Sequence, residues 1–352
     1  METRVAYLDV GEITMDTVEL PELGPNDVLV KTEQASVCGS ERYFYRGITV
    51  RPEDKARGLP SEAGDYHRDG EKHTYPIGPL GHEGGGTIES VGSAVDTYLG
   101  GGTVSVGDRV GSLYYPTYTD YWVTDVSNVQ PIPDGVSFRV GALYEALACA
   151  VWAARHMDVK LGDTVAVNGL GFAGNVLLQG ALQAGASEVY AIDPVEEKRD
   201  IAEELGADVT IDPTEEDAVE LVDELTDYDG VDVAVEAVGG TGIGIKQALG
   251  MVAHNGVLAL YGDNYAPIDD FCFHKFHEDA LTVQNLAPMH YTQLQSIENA
   301  REAYRAVERG IFDVDVILEH SESYSLDELP EVFEKEAEST AAQTSLKTII
   351  EP

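Results

Sequence analysis

A chain of 352 residues, 43% of them hydrophobic, has length for about two domains and material for a real core, which excludes a small disulfide-stapled scaffold. Its 63 acidic residues against 22 basic ones give a formal net charge of −41, so the clustered Lys and Arg that bind nucleic acid or an anionic membrane are missing. Charge-driven disorder is excluded as well, because 18 Tyr, 8 Phe and 2 Trp are spread along the sequence.

Residues 1–144 carry short alternating segments such as VAYLDV, DVLVKT, GGTIESVG and DRVGSLYY, punctuated by Gly, Pro and Asp, and these predict antiparallel β structure. Inside them, residues 47–77 are polar and without sustained periodicity, and predict a long inserted loop. The texture changes at Leu143. ALYEALACAVWAARHM is apolar at helical spacing, DTVAVNGL reads as a buried strand, and NVLLQGALQAG as a second helix. Alternation continues through EVYAIDP, EEKRDIAEELGA, DVTID, DAVELVDELTD, VDVAVEAVG, IKQALGMV and GVLALYGD. Residues 145–284 therefore predict a doubly wound parallel sheet, and the fold class is α/β. Residues 285–352, with a helix near IENAREAYRAVERG and a closing strand SLKTIIEP, are expected to return to the β-rich first unit.

The N-terminus METRVAYLDVGEITM lacks a basic stretch followed by an apolar one, and no run of 18 apolar residues occurs, so neither secretion nor a spanning helix is expected. Cys38, Cys149 and Cys272 stand far apart, and the expected compartment is a reducing cytoplasm.

Strand DTVAVNGL runs into Gly169, Gly171 and Gly174, with Phe172 and Ala173 between the last two glycines, and a helix follows. Asp193 closes the next strand about 20 residues on, which is the context of a dinucleotide fingerprint. Such glycines let a pyrophosphate approach a helix N-terminus, and the Asp193 carboxylate accepts ribose hydroxyls while repelling a 2′-phosphate. NAD is expected over NADP, although Lys198 and Arg199 follow closely enough to reach a phosphate. In the first unit, Cys38-Gly39-Ser40-Glu41 ends a β-like segment and Gly81-His82-Glu83-Gly84 opens another. Thiolate and imidazole suit Zn²⁺; singly, a Cys serves equally well as buried filler and a His as a satisfied core or surface residue.

The order CGSE, GHE, GDRV (Gly107 to Val110) and GLGFAG resembles the zinc-containing medium-chain dehydrogenase/reductase family, over essentially the whole chain. The resemblance implies a GroES-like catalytic domain joined to a Rossmann domain, with reversible alcohol oxidation through one catalytic zinc and NAD(P). It implies Cys38 and His82 as zinc ligands and Glu83 as an acid beside them that ligates or exchanges with water. The third ligand position falls on Glu145, which points to the family's sorbitol, threonine and glucose dehydrogenases and hence to a polyol, sugar or secondary-alcohol substrate. Ser40 would be the first proton acceptor, and Tyr43 takes the place of the His that often finishes the relay. Val238 and Gly262 match positions where strand ends face the cofactor. Glu41 stands where the family has an Asp behind the ligands. With only three cysteines the chain cannot build the family's four-cysteine structural site. A homo-oligomer of two or four subunits is expected.

Two other readings remain at this point: a zinc-free NADPH-dependent quinone or enoyl reductase of the same superfamily, and a non-catalytic dinucleotide-binding protein. The acids are scattered through every segment and only nine Lys are present, a composition that resembles haloarchaeal cytoplasmic proteins. At molar salt the Debye length of about 3 Å screens the repulsion among such carboxylates.

Overall fold

The computed structural model describes residues 1–46, 76–112, 116–240, 242–264, 273–286, 293–338 and 345–352. Most of the 47–77 stretch and Cys272 lie outside them, and so do the side chain of Tyr43 and Tyr114 and Tyr115, whose hydroxyls, with those of Tyr45 and Tyr118, the sequence offers to a polar substrate. At the end of that stretch Ile77 is described, and its N–H donates to the Leu8 carbonyl at 2.8 Å.

The hairpin Glu2–Asp9 with Glu12–Glu19 opens the chain as a two-stranded antiparallel sheet. A second, seven-stranded sheet runs Glu322–Ser325, Thr348–Glu351, Asp27–Ser36, Gly84–Val91, Arg109–Ser112 and Val129–Pro131, with Tyr121–Asp125 also on Asp27–Ser36. All its pairs are antiparallel except the first, Glu322–Ser325 with Thr348–Glu351. The closing strand thus joins the β-rich unit, with Ile349 opposite Ser36 and Ile350 opposite Ala35.

The third sheet is parallel throughout and has six strands. In space they run Val209–Ile211, Glu188–Ile192, Thr164–Asn168, Val231–Glu236, Val252–Leu260 and Thr282–Asn285. Counted along the chain, that order is third, second, first, fourth, fifth, sixth. It is the Rossmann arrangement, in which connections leave the central strand in opposite directions and open a crevice at its C-terminal end. Val165, Ala166 and Val167 are fully buried, the continuous apolar run of a strand covered on both faces.

One hydrophobic cluster spans both halves. It joins Ile132, Leu143 and Ile349 to Val165, Val176 and Val235, and includes Ala300, Ala303 and Tyr304 of the helix Gln293–Glu308. Helix Tyr144–His156 runs through this cluster with Tyr144, Leu147, Ala150 and Val151 buried. Its position is therefore fixed by packing on several sides.

A short helix over Gly39–Tyr45 follows Cys38, where the sequence predicts the end of a β-like segment. Glu41 at its third position reaches back so that the Cys38 N–H donates to Glu41 Oε2 at 3.3 Å, closing the first turn.

Candidate active site

Strand register explains how Cys38 meets His82 and Glu83. In the antiparallel pair of Asp27–Ser36 with Gly84–Val91, Ala35 lies opposite Gly84, and the Ser36 N–H donates to the Glu83 carbonyl at 3.0 Å. The end of one strand and the start of the other thus bring these side chains together. Gly81 has a φ of +98°, and a Cβ there would sit 2.5 Å from Thr117 Oγ1, so the turn into His82 requires glycine. Cys38 Sγ, a ring nitrogen of His82 and a carboxylate oxygen of Glu83 lie within 4.8 Å of one another.

Each member of this group is held from behind. His82 Nδ1 lies 2.9 Å from Glu41 Oε1, and the Tyr118 hydroxyl donates to Glu41 Oε2 at 2.5 Å. With Nδ1 on Glu41, Nε2 is the nitrogen that would bond a metal. Burial alone would lower the His82 pKa, but the charges of Glu41 and Cys38 carry it well above its ordinary value. Glu83 is paired with Lys347, the residue just before the closing strand Thr348–Glu351, and the Ser36 hydroxyl donates to Glu83 Oε2 at 2.5 Å. Burial acts to raise the Glu83 pKa, yet Lys347 and His82 hold it below the ordinary value, so the carboxylate is ionised. The Ser40 hydroxyl donates to Cys38 Sγ at 3.2 Å, which places it at the metal-ligand end of the group.

Glu145, in the first turn of helix Tyr144–His156, lies outside the compact trio. Burial raises its pKa, with His82 opposing and Glu83 reinforcing, which sets its carboxylate within electrostatic reach of both. Cys149 Sγ donates to Glu145 Oε1 at 3.2 Å. From the other half of the molecule Tyr261 approaches, just past the strand Val252–Leu260. Its phenol is pushed well up by burial and by Cys149, Glu145, Cys38 and Glu83. Thiolate, imidazole and carboxylate on one spot form a donor set that fits Zn²⁺.

The glycine loop follows the central parallel strand. Gly169 has a φ of +99°, and Gly171 caps helix Phe172–Ala184. A Cβ on Gly174 would fall 1.9 Å from the Gly169 carbonyl oxygen, whereas a Cβ on Gly171 would meet nothing within 4 Å. Gly174 is needed for helix-on-loop packing, while Gly171 leaves open space at a helix N-terminus, which fits an approaching pyrophosphate. Lys347 Nζ lies 5.5 Å from the centroid of the Phe172 ring, so this cation links the glycine loop to Glu83. Ala173 is partly buried against the main core.

Asp193 does more than end a strand. Its Oδ2 accepts the Leu170 N–H and its Oδ1 the Val195 N–H, both at 2.9 Å, so it pins the glycine loop. Lys198 Nζ is 4.0 Å from Asp193 Oδ2, and burial lowers its pKa. Arg199 donates to the Asp193 carbonyl at 2.7 Å and pairs with Asp212 at 3.0 Å, which commits it to the protein. Val238 is 46% exposed at a strand end. Gly262 packs tightly there, since a Cβ would lie 2.4 Å from Gly239 N. Behind both, Glu236 Oε1 accepts the Val238 and Gly239 N–H groups at 2.9 and 2.7 Å.

Sequence reasoning does not single out Lys347, Cys149 or Tyr261 as parts of this site, and it offers Tyr118 only as one of several hydroxyls suited to a polar substrate, whereas the structure places it on Glu41. Lys347 has a signal, being one of nine lysines and set between Leu346 and the apolar pair Ile349-Ile350. Tyr118 and Tyr261 have none beyond residue type.

Two family models match the chain: an alcohol dehydrogenase GroES-like domain over residues 24–154 and a zinc-binding dehydrogenase over residues 173–308. The chain is 30% identical to (R,R)-butanediol dehydrogenase of Bacillus subtilis (strain 168) over 260 residues, which is 68% of this chain and 70% of that one. Against the sorbitol dehydrogenase of the same strain it is 28% identical over 274 residues, covering 71% and 72% of the two chains. Among solved structures, a zinc-binding dehydrogenase of Sinorhizobium meliloti 1021 bound to NADP superposes with a TM-score of 0.78 at 25% identity, covering 100% of each chain.

Proposed function

We propose that this chain, which belongs to the family of zinc-binding alcohol dehydrogenases, oxidises a secondary hydroxyl of a polyol or sugar with NAD as hydride acceptor. The observation that carries the reading is the Cys38, His82 and Glu83 group, with Glu145 beside it, tied through Lys347 to the glycine loop that would hold the dinucleotide. Relatives named butanediol and sorbitol dehydrogenases support the substrate class.

When bound, zinc acidifies an alcohol and nicotinamide accepts hydride. Cys38 and His82 would hold the metal together with Glu145, and Glu83, the acid within the compact trio, would ligate it or exchange with water. Glu41 fixes the ring of His82. Ser40 takes the proton from the substrate hydroxyl, and Tyr43 is its next carrier toward solvent. Gly169, Gly171, Phe172, Ala173 and Gly174 cradle the pyrophosphate, Asp193 and Lys198 read the adenosine ribose, and Val238 and Gly262 line the nicotinamide end. Commitment of Arg199 to Asp212 supports NAD, since that guanidinium is occupied where a 2′-phosphate would need it. The acidic surface supports a salt-adapted protein, and a reducing cytoplasm and a homo-oligomeric state are parts of the same proposal.

The test is elemental analysis of the purified protein beside a Cys38→Ser variant. One zinc per chain is expected, lost in the variant together with turnover, while dinucleotide binding stays. Two metals per chain, or undiminished turnover in the metal-free variant, would overturn the reading and favour a zinc-free reductase.

A further inference from the structure

Glu145 and Cys149 stand one turn apart on the same face of helix Tyr144–His156. The thiol donates to Glu145 Oε1 at 3.2 Å. Both residues lie within electrostatic reach of Glu83, and Cys149 also within reach of Cys38, so the pair faces the candidate metal group. The helix cannot turn this face away, because Tyr144, Leu147, Ala150 and Val151 are locked into the main core. A carboxylate swings freely about its last bonds, and an acid outside the Cys38, His82 and Glu83 trio would sample many orientations unless something held it. One oxygen is held here by a group a single turn away, on a rigid element.

We propose that Cys149 is a positioning residue: its thiol fixes Glu145 Oε1 so that the other carboxylate oxygen is presented to a metal ion at Cys38 and His82. This rests on the reading of Glu145 as a ligand. Partners of this kind behind a metal ligand change affinity by about 10- to 100-fold when removed. Ser in place of Cys149 keeps a donor at nearly the same point, whereas Ala keeps only the bulk near the backbone.

The experiment titrates zinc into the full-length apoprotein against a chromogenic chelator, for the wild type, Cys149→Ala, Cys149→Ser, Glu145→Ala and the Glu145→Ala/Cys149→Ala double variant. Dinucleotide binding by fluorescence serves as the control for folding. Expected is a loss of about 10-fold or more in zinc affinity for Cys149→Ala, recovery of most of it in Cys149→Ser, and a double variant no weaker than Glu145→Ala. Wild-type affinity in Cys149→Ala beside a loss in Glu145→Ala overturns the positioning role alone. So does a Ser variant as weak as the Ala variant, or additive losses. Unchanged affinity in Glu145→Ala removes the ligand reading and the proposal with it.

Discussion

Asp193 has two duties, and a test of cofactor choice must separate them. Its carboxylate oxygens hold the Leu170 and Val195 N–H groups, so an Ala variant would loosen the glycine loop and weaken both dinucleotides. Asp193→Asn removes the charge and keeps one of the two accepting oxygens, and because the loosening of the loop weakens both dinucleotides alike, the ratio of NAD to NADP isolates the charge. Two like charges 4 Å apart repel by about 4 kcal/mol at an effective dielectric of 20, an upper figure that Lys198 and salt reduce. A quarter of that is still about fivefold in affinity. The wild type is therefore expected to prefer NAD in kcat/KM, with Asp193→Asn lowering the NAD-to-NADP ratio of kcat/KM; an NADP preference in the unmodified protein, or a ratio unchanged in the variant, would contradict this. Lys347 supports a second prediction. Because the Glu83 pKa is lowered in the folded state, its contribution to stability is present above the ordinary glutamate value of about 4.3 and lost as pH falls through the lower folded value. Lys347→Met leaves that carboxylate buried without its cation, and should cost about 3 kcal/mol at neutral pH. Urea unfolding at a series of pH values should show the gap between variant and wild type closing in acid; a gap unchanged by pH would refute the pairing.

At the scale of elements, the glycine loop and its helix give two substitutions with opposite signatures. Gly174→Ala forces a Cβ onto the Gly169 carbonyl and should lower stability by about 1–3 kcal/mol. Gly171→Ala projects into open space, so its melting temperature should match the wild type while dinucleotide affinity falls by about tenfold or more. Equal melting losses in the two would mean that Gly171 is structural. This loop was legible in the sequence because its signals are local: a buried strand, three glycines and an acid at the next strand end. Cys38 and His82 were legible one by one, and the pairing of Ala35 with Gly84 supplies what brings them together. Less was legible where contacts are long-range or the cap is unusual. Lys347 reaches Glu83 from the far end of the chain, and helix Gly39–Tyr45 starts at a cysteine, a residue outside the common capping set. Residue types alone do not report such pairings.

Across the whole molecule, the charge of −41 is carried by scattered carboxylates, among them the exposed Glu196, Asp200, Glu203, Glu220 and Glu224 on two helices flanking the parallel sheet. As ionic strength falls and screening fades, the folded state should weaken, and melting temperature should drop from molar KCl to dilute buffer. A melting temperature independent of salt would refute a salt-adapted surface. That dependence sets the conditions for the central test, because catalysis should be assayed where the fold is most stable. The two halves share one core, so the Cys38, His82 and Glu83 group and the glycine loop are held in a fixed relation, as the proposed transfer of hydride from substrate to nicotinamide requires. The most direct measurement is NADH formation in high salt from a panel of vicinal diols, polyols, aldoses and simple alcohols, with the apoprotein and with the same sample after zinc is restored. Turnover with at least one secondary alcohol of the panel is expected, absent after chelation and regained with zinc; turnover indifferent to chelation, or reduction of quinones by NADPH in its place, would overturn the assignment as a zinc-dependent alcohol dehydrogenase.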